Sequence, residues 1–263
     1  METIFQTEVT KIQNNKKFTV LDEVIREIKL ELIVNRKKVG SLMAVPVDLK
    51  ELAVGYLMSE GIIKSLKDIK KIELVDVDTK VFQVKIDAKV VEKSIERLNI
   101  DGVIVSGCGR ATSTQISKLA IDATILKDDF SIDAKLLFEE MSKFYTQCPL
   151  YERTGCVHTA KVYLNKETFF LGEDIAQHNT IDKAIGKAKL AGVNISKCFL
   201  MVSGRLSSEM VAKAVIHQIP ILASRTASTC RGVNIADKFG LTLVGFVRGK
   251  KMNIYRHAKR INV

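Results

Sequence analysis

From about residue 155 to the end of the chain, short apolar runs alternate with segments of helical spacing, and this alternation constrains the fold more than any other feature. Cys198-Phe199-Leu200-Met201-Val202 is apolar throughout, as in a strand covered on both faces of its sheet. Around it, residues 157–164 and 168–172 read as a strand pair, 220–223 as a strand and 241–247 as a last strand. One helix is predicted from Asn179 or Thr180, either of which can cap it, to Ala191, with Gly192 as its stop. Another runs from a Ser207 cap to about Gln218, and a third spans residues 228–239. Such alternation implies a mostly parallel sheet with helices on its faces. In sheets of that kind the ligand crevice is built from loops leaving the C-terminal ends of the strands.

The first ~100 residues alternate as strands do. Residues 29–35 and 81–86 are the clearest strands, and residues 48–58 between them have helical spacing, with Leu49, Leu52, Ala53, Tyr56 and Leu57 on one face. Asp48 can cap this helix, with Glu51 completing a variant of the capping box. Val103-Ile104-Val105 forms a short strand, and a helix is predicted over 133–146. No repeat, low-complexity stretch or linker interrupts the chain, which has three prolines.

With 263 residues, 46% of them hydrophobic, the chain can bury one large α/β domain or two smaller ones. It has no apolar run of the ~20 residues that cross a bilayer, and its polar N-terminus lacks a signal-peptide pattern. A cytoplasmic location without membrane association is therefore expected. The formal net charge of +11 suits an anionic partner or reflects a generally lysine-rich composition. A nucleic-acid binder would rest on that charge alone, since Trp is absent and aromatics make up only 6% of residues. The five cysteines are odd in number and widely spaced, which disfavours a disulfide framework and a zinc ribbon.

Cys108 is the sharpest chemical feature. It lies between Gly107 and Gly109, just after a strand and two residues before Arg110. Glycines expose the thiol, and a nearby cation favours the thiolate that attacks sulfur; the alternative is an incidental cysteine in a glycine turn. Ser203, Gly204 and Arg205 join an apolar strand to a helix N-terminus, an arrangement that favours phosphate or is an ordinary turn. Phe246, Val247, Arg248, Gly249, Lys250 and Lys251 end the last strand with three cations, either a phosphate clamp or the start of a solvated basic tail running through Arg256, Lys259 and Arg260. Glu173, Asp174, His178 and Asn179 form a polar cluster at a helix start, where metal or general-base work competes with structural hydrogen bonding. Cys156 and His158 face one way on a strand and could join Cys108 around zinc only with a guessed fourth ligand, so no metal site is expected.

Taken in order, these segments resemble the formate dehydrogenase accessory sulfurtransferase family (FdhD/NarQ) over nearly the whole chain. The stretch from Val45-Pro46-Val47-Asp48 through Gly55-Tyr56-Leu57-Met58-Ser59-Glu60-Gly61-Ile62-Ile63 is similar to its long N-terminal signature. Thr154-Gly155-Cys156-Val157-His158-Thr159-Ala160, Glu173-Asp174-Ile175-Ala176-Gln177-His178-Asn179, Ser203-Gly204-Arg205 with Ser207, and Thr242-Leu243-Val244-Gly245-Phe246-Val247-Arg248 resemble its later motifs. The family's active loop has two cysteines; here Cys108 matches the first and Ala111 stands in place of the second. Gln177 replaces the usual arginine, Cys156 a glycine and Ser228 a proline.

The resemblance implies an α/β fold: a small N-terminal α+β part, residues 1–115, ending in the Cys108 loop, and a larger cytidine-deaminase-like α/β domain, residues 116–263. The deaminase zinc signature is missing, which disfavours deamination. It further implies a sulfurtransferase in which Cys108 takes persulfide sulfur from a cysteine desulfurase. The acceptor would be the bis-molybdopterin guanine dinucleotide molybdenum cofactor, bound as cargo, in support of formate dehydrogenase. The cofactor contacts implied are Phe246 to Lys251, Ser203, Gly204, Arg205, Thr229, His158 and His178. A homodimer is expected from the two nucleotides of the cargo, with no nucleic acid or membrane partner. The alternative is a non-catalytic cofactor-binding chaperone, which the missing second cysteine favours.

Overall fold

The computed structural model describes residues 2–96, 103–104, 123–127 and 129–263. Cys108, Arg110 and Ala111 lie outside the described residues, as does all of their loop.

The chain opens with a long two-stranded ribbon, β1 (Ile4–Gln13) and β2 (Lys16–Ile25), paired antiparallel from Ile4 opposite Ile25 to Gln13 opposite Lys16. Asn14 and Asn15 both take positive φ at its tip, 51° and 59°. A two-residue loop with both residues in that region matches the right-handed twist of the strands, and Asn tolerates it well. A five-stranded sheet follows, ordered β5-β6-β3-β4-β7, with β3 (Ile28–Val34), β4 (Lys37–Ala44), β5 (Ile69–Asp76), β6 (Val81–Ala88) and β7 (Val103–Ile104). Ile28, Leu30, Leu32 and Val34 of β3 alternate into its core with Phe82, Val84 and Ile86 of β6.

Helix α1 (Leu49–Ser59) covers this sheet, and a short α2 (Glu92–Glu96) follows β6. The apolar face expected for α1 is present, but Val54, Gly55, Met58 and Ser59 are buried as well. The reason is a second partner, the later helix α5. Asp48 stands at the N-cap position with a left-handed backbone and makes no side-chain cap; its carboxylate pairs with Lys187 instead.

After β8 (Ile132–Asp133) come α3 (Ala134–Ser142), shorter than the helix expected over 133–146, and α4 (Pro149–Thr154). A six-stranded sheet forms the larger half, ordered β10-β9-β11-β12-β13-β14, from β9 (His158–Tyr163), β10 (Phe169–Asp174), β11 (Phe199–Val202), β12 (Ile221–Ser224), β13 (Thr242–Arg248) and β14 (Lys251–Arg256). Only β11-β12 and β12-β13 pair parallel; β9-β10, β9-β11 and β13-β14 pair antiparallel. The sheet is therefore mixed rather than mostly parallel, because short hairpin connections join β9 to β10 and β13 to β14, and a tight turn forces antiparallel pairing.

Helices α5 (Gln177–Leu190), α6 (Ser208–Ile216) and α7 (Cys230–Phe239) follow β10, β11 and β12. Leu200 and Val202 of β11 enter the core that includes residues of all three helices, while Phe199 and Met201 enter a second core with Leu137 and Met141 of α3. Both sheet faces are covered, as the unbroken apolar run required. A final strand, β15 (Ile261–Asn262), pairs with β8. The basic end of the chain is not a solvated tail. Arg260 is buried, and its guanidinium donates to the carbonyls of Gly240 and Lys127 and to the Thr242 hydroxyl.

Helices α1 and α5 touch backbone to backbone. A Cβ on Gly55 would lie 2.0 Å from the Asp182 carbonyl oxygen, and one on Gly186 2.0 Å from that of Glu51. Glycine is required at both positions by this approach, and the antiparallel pair locks the N-terminal sheet onto the larger one.

Candidate functional site

Three loops leave the C-terminal ends of β11, β12 and β13 side by side, and hydrogen bonds lace them together. The Gly204 carbonyl accepts from the hydroxyls of Ser224 and Thr226, each at 2.7 Å. The Phe246 amide donates to the Thr226 carbonyl at 3.0 Å, and Arg248 Nε to the Arg225 carbonyl at 3.0 Å. Thr229 donates its amide to the Leu206 carbonyl and caps α7 by accepting from the Gly232 amide. Each loop carries one arginine: Arg205, Arg225 and Arg248. None of the three forms an ion pair with a described carboxylate. Three guanidiniums without a described carboxylate partner, at one sheet end beside the N-termini of two helices, form a crevice whose chemistry suits an anion.

The two expected histidines stand at the same end. His158 starts β9, and its Nδ1 lies 3.2 Å from the Ser203 hydroxyl, which also accepts from the Thr159 amide at 3.0 Å. Partial burial and then the Arg205 charge hold its pKa below the ordinary histidine value. His178, in the first turn of α5, places Nε2 3.0 Å from a Glu209 carboxylate oxygen at the start of α6. Burial, followed by the Lys213 and His158 charges, pushes its pKa down to about 3. Burial thus favours the neutral form of both imidazoles, and Nε2 of His178 donates to Glu209. They can orient ligand oxygens without adding charge.

The segment Phe246, Val247, Arg248, Gly249, Lys250, Lys251 runs over the end of the sheet. Phe246 is 38% exposed with φ 53°, at an irregularity in the β13-β14 pairing. Its ring lies 5.8 Å from the Arg248 guanidinium carbon. Val247 is fully buried against α3, so its own side chain is mainly a core element. Gly249 and Lys250 form the exposed tight turn into Lys251. Beside them a cavity of 240 Å³ is lined by Arg225, Val247, Arg248 and Gly249 with Phe138, Met141 and Ser142 of α3.

The acidic cluster has a structural role. Glu173 accepts from the amides of Leu150 and Tyr151 at the start of α4. Asp174 pairs with buried Lys183 at 2.7 Å and accepts from the Val45 amide and the Asn179 side chain. Asn179 thus does not cap α5, nor does Thr180, whose hydroxyl donates to the Gln177 carbonyl. The N-cap is Ala176, three residues before Asn179, whose side chain is drawn to Asp174 and the Met43 carbonyl. Ser207 occupies the N-cap of α6 without a side-chain bond. Among the described residues no three His, Cys, Asp or Glu side chains are grouped as metal ligands. Cys148 and Cys198 are buried, and burial pushes both thiols up to about 11; Cys156 and Cys230 are exposed.

One contributor escaped the sequence reading, and a second figured there only as a substituted motif position. Arg225 follows the predicted strand ending at Ala223, so the rule that sites form at strand C-terminal ends could have found it. Gln177 lies across Gly204, where a Cβ would come within 2.5 Å of its side chain, and donates to the Arg205 carbonyl at 2.9 Å. No local signal announces that contact.

Known proteins with the same pattern are numerous. The FdhD/NarQ family model matches residues 25–262. A sulfur carrier protein FdhD of Wolinella succinogenes is 38% identical over 92% of this chain and 83% of its own length. One from Methanothermobacter thermautotrophicus is 33% identical over 92% of both. A crystal structure from Desulfotalea psychrophila, described as that of a formate dehydrogenase accessory protein, superposes with a TM-score of 0.78 at 23% identity, covering 99% of this chain and 100% of that one.

Proposed function

Because the chain belongs to the FdhD/NarQ family, we propose that it is a sulfur carrier serving a formate dehydrogenase, with the Cys108 thiolate as the carrying group. The thiolate attacks the terminal sulfur of a cysteine desulfurase persulfide; the donor cysteine leaves as thiolate, and Cys108 becomes the persulfide. The sulfane sulfur then bonds to the molybdenum of a bis-molybdopterin guanine dinucleotide substrate as the sulfur–sulfur bond breaks; the reduced metal gives up two electrons, going from Mo(IV) to Mo(VI), the transferred sulfur becomes its sulfide ligand, and Cys108 returns to thiolate. Ala111 offers no second thiol in that loop, so one cysteine carries the sulfur through the cycle.

The observation that carries the cargo assignment is the trio Arg205, Arg225 and Arg248 on laced loops at the sheet's C-terminal end. Planar guanidiniums bind phosphate oxygens two at a time, and a dinucleotide cargo supplies several. His158, His178 and Ser203, at the same sheet end, would orient neutral oxygens beside them, and exposed Phe246 would offer a face to a purine.

The test is incubation with desulfurase and sulfur-labelled cysteine, followed by peptide mapping. Label is expected on Cys108 and lost in Cys108→Ala; undiminished label in that variant refutes the assignment. Replacing the three arginines with Gln is expected to weaken guanosine diphosphate binding at least 100-fold while leaving Cys108 labelling intact. If Cys108→Ser still supports formate dehydrogenase fully, the protein is a cofactor-delivery chaperone instead.

A further inference from the structure

A second cavity lies at the other end of the molecule. Helix α6 returns from the C-terminal end of β11 to the start of its parallel neighbour β12, and α5 leads likewise from β10 to β11. Their last turns therefore sit opposite the arginine crevice. There Lys189 of α5, His217 after α6 and Ser59 of α1 border a cavity of about 450 Å³, closed by Lys64, Lys93 and Ser94. Met58, Ile63, Val91 and Ile216 supply an apolar wall. The volume falls in the range of small-molecule sites, and so does the mixture of an apolar wall with a few convergent polar groups.

The charge balance is one-sided. Among the described residues three lysines line the cavity and no carboxylate does. Neither Lys64, Lys93 nor Lys189 forms an ion pair with a described residue. Lys189 is half-buried, and burial alone lowers its pKa. An isolated cation withdrawn from water is costly unless something compensates it. The C-termini of α5 and α6 compensate in part, each carrying about half a negative charge. That accounts for Lys189; Lys64 and Lys93, from the segment after α1 and from α2, are exposed and keep their charge in water at the cavity mouth.

The floor is already satisfied. Ser59 donates its only hydroxyl hydrogen to Asp182 Oδ1 at 2.7 Å, so the 2.9 Å contact with His217 requires Nε2–H of the imidazole as donor. Lys213 binds both oxygens of Asp182 beneath, at 2.6 and 2.7 Å. This network occupies the polar groups of the floor with one another, and the three lysines are left without an ion-pair partner among the described residues.

We propose that this cavity binds a small phosphorylated molecule, its phosphate held by Lys64, Lys93 and Lys189 and a compact apolar or heterocyclic body set against Met58, Ile63, Val91 and Ile216. The site is separate from the strand-end crevice and does not depend on the sulfur-carrier reading.

Adenosine monophosphate and inorganic phosphate serve as probes, titrated by calorimetry into the full chain at 50 and 150 mM salt. Saturable binding of the nucleotide is expected, at least tenfold tighter than that of phosphate. The exposed pair Lys64→Gln and Lys93→Gln, combined, is expected to weaken it tenfold or more, and the binding that depends on these lysines is expected to persist in Arg205→Gln with Arg248→Gln, where any separate binding at the crevice is lost. Circular dichroism of each variant confirms folding. Absence of saturable binding at either salt concentration overturns the proposal. So does binding that is lost with the arginines and retained without the lysines, or equal affinity for both probes.

Discussion

Gly55→Ala tests the contact that joins the two halves of the molecule. Its Cβ would lie 2.0 Å from the Asp182 carbonyl oxygen, 2.6 Å from the carbonyl carbon and 2.8 Å from Cα, all backbone atoms that cannot rotate away. Ordinary contact starts at 3.4 Å, so α1 and α5 must part by about 1.4 Å along that direction. Overpacking of this kind costs about 1–3 kcal/mol. Separation also stretches the buried Ser59–Asp182 hydrogen bond, 2.7 Å in the native arrangement; bonds to charged groups are worth about 1.5–3 kcal/mol each. Against this, Ala is better than Gly in a helix by about 1 kcal/mol. The expected net loss is about 2–3 kcal/mol. At roughly 2–4 °C per kcal/mol for a chain of this size, the melting temperature falls by about 5–10 °C. Urea unfolding followed by far-ultraviolet circular dichroism measures it. Gly186→Ala should behave alike, and the double variant should lose less than the sum, because the first substitution already parts the helices. A gain of about 1 kcal/mol in Gly55→Ala, the helix-propensity effect alone, would show that the two backbones are not in contact.

Glu60 is buried at the end of α1, and burial is the main cause that raises its pKa to about 7. The folded state therefore holds a proton that the unfolded chain releases above its ordinary value near 4.5, so this group's contribution to stability fades between about pH 4.5 and 7. The shift corresponds to about 3 kcal/mol at most. Glu60→Gln should flatten that part of the stability–pH curve, and an unchanged slope would refute the assignment. Arg260→Ala should cost about 2–4 kcal/mol in urea unfolding, since it orphans two backbone carbonyls and leaves a buried gap; a loss below ~0.5 kcal/mol, the scale of ordinary surface substitutions, would return it to the solvated tail. Iodoacetamide at pH 7.5 should label Cys156 and Cys230 in the native protein and reach Cys148 and Cys198 only after unfolding, as read by peptide mass mapping.

The amino-acid sequence by itself determined the elements whose signal is local. The apolar run into Val202 became β11, and the 3.6-residue spacing from Leu49 to Leu57 became α1. Strand ends could be located, and with them Ser203, Gly204, Arg205 and Arg248, because a parallel strand's C-terminal loop follows directly from its hydrophobic stretch. The ordered motifs carried the family, since they record chemistry rather than geometry. Tertiary structure decided where polar side chains spend their hydrogen bonds. Asp174 reaches the Val45 amide across 129 positions, Ser59 reaches Asp182 across 123, and Asn179 leaves its expected cap to join Asp174. It also decided that Arg260 is buried, that Gln177 braces the Arg205 loop and that Lys189, Lys64 and Lys93 share one cavity. Periodicity is set by the geometry of the chain next to itself. A hydrogen bond or a shared cavity depends on which distant segments the packed core brings within a few ångströms, and no local pattern encodes that distance.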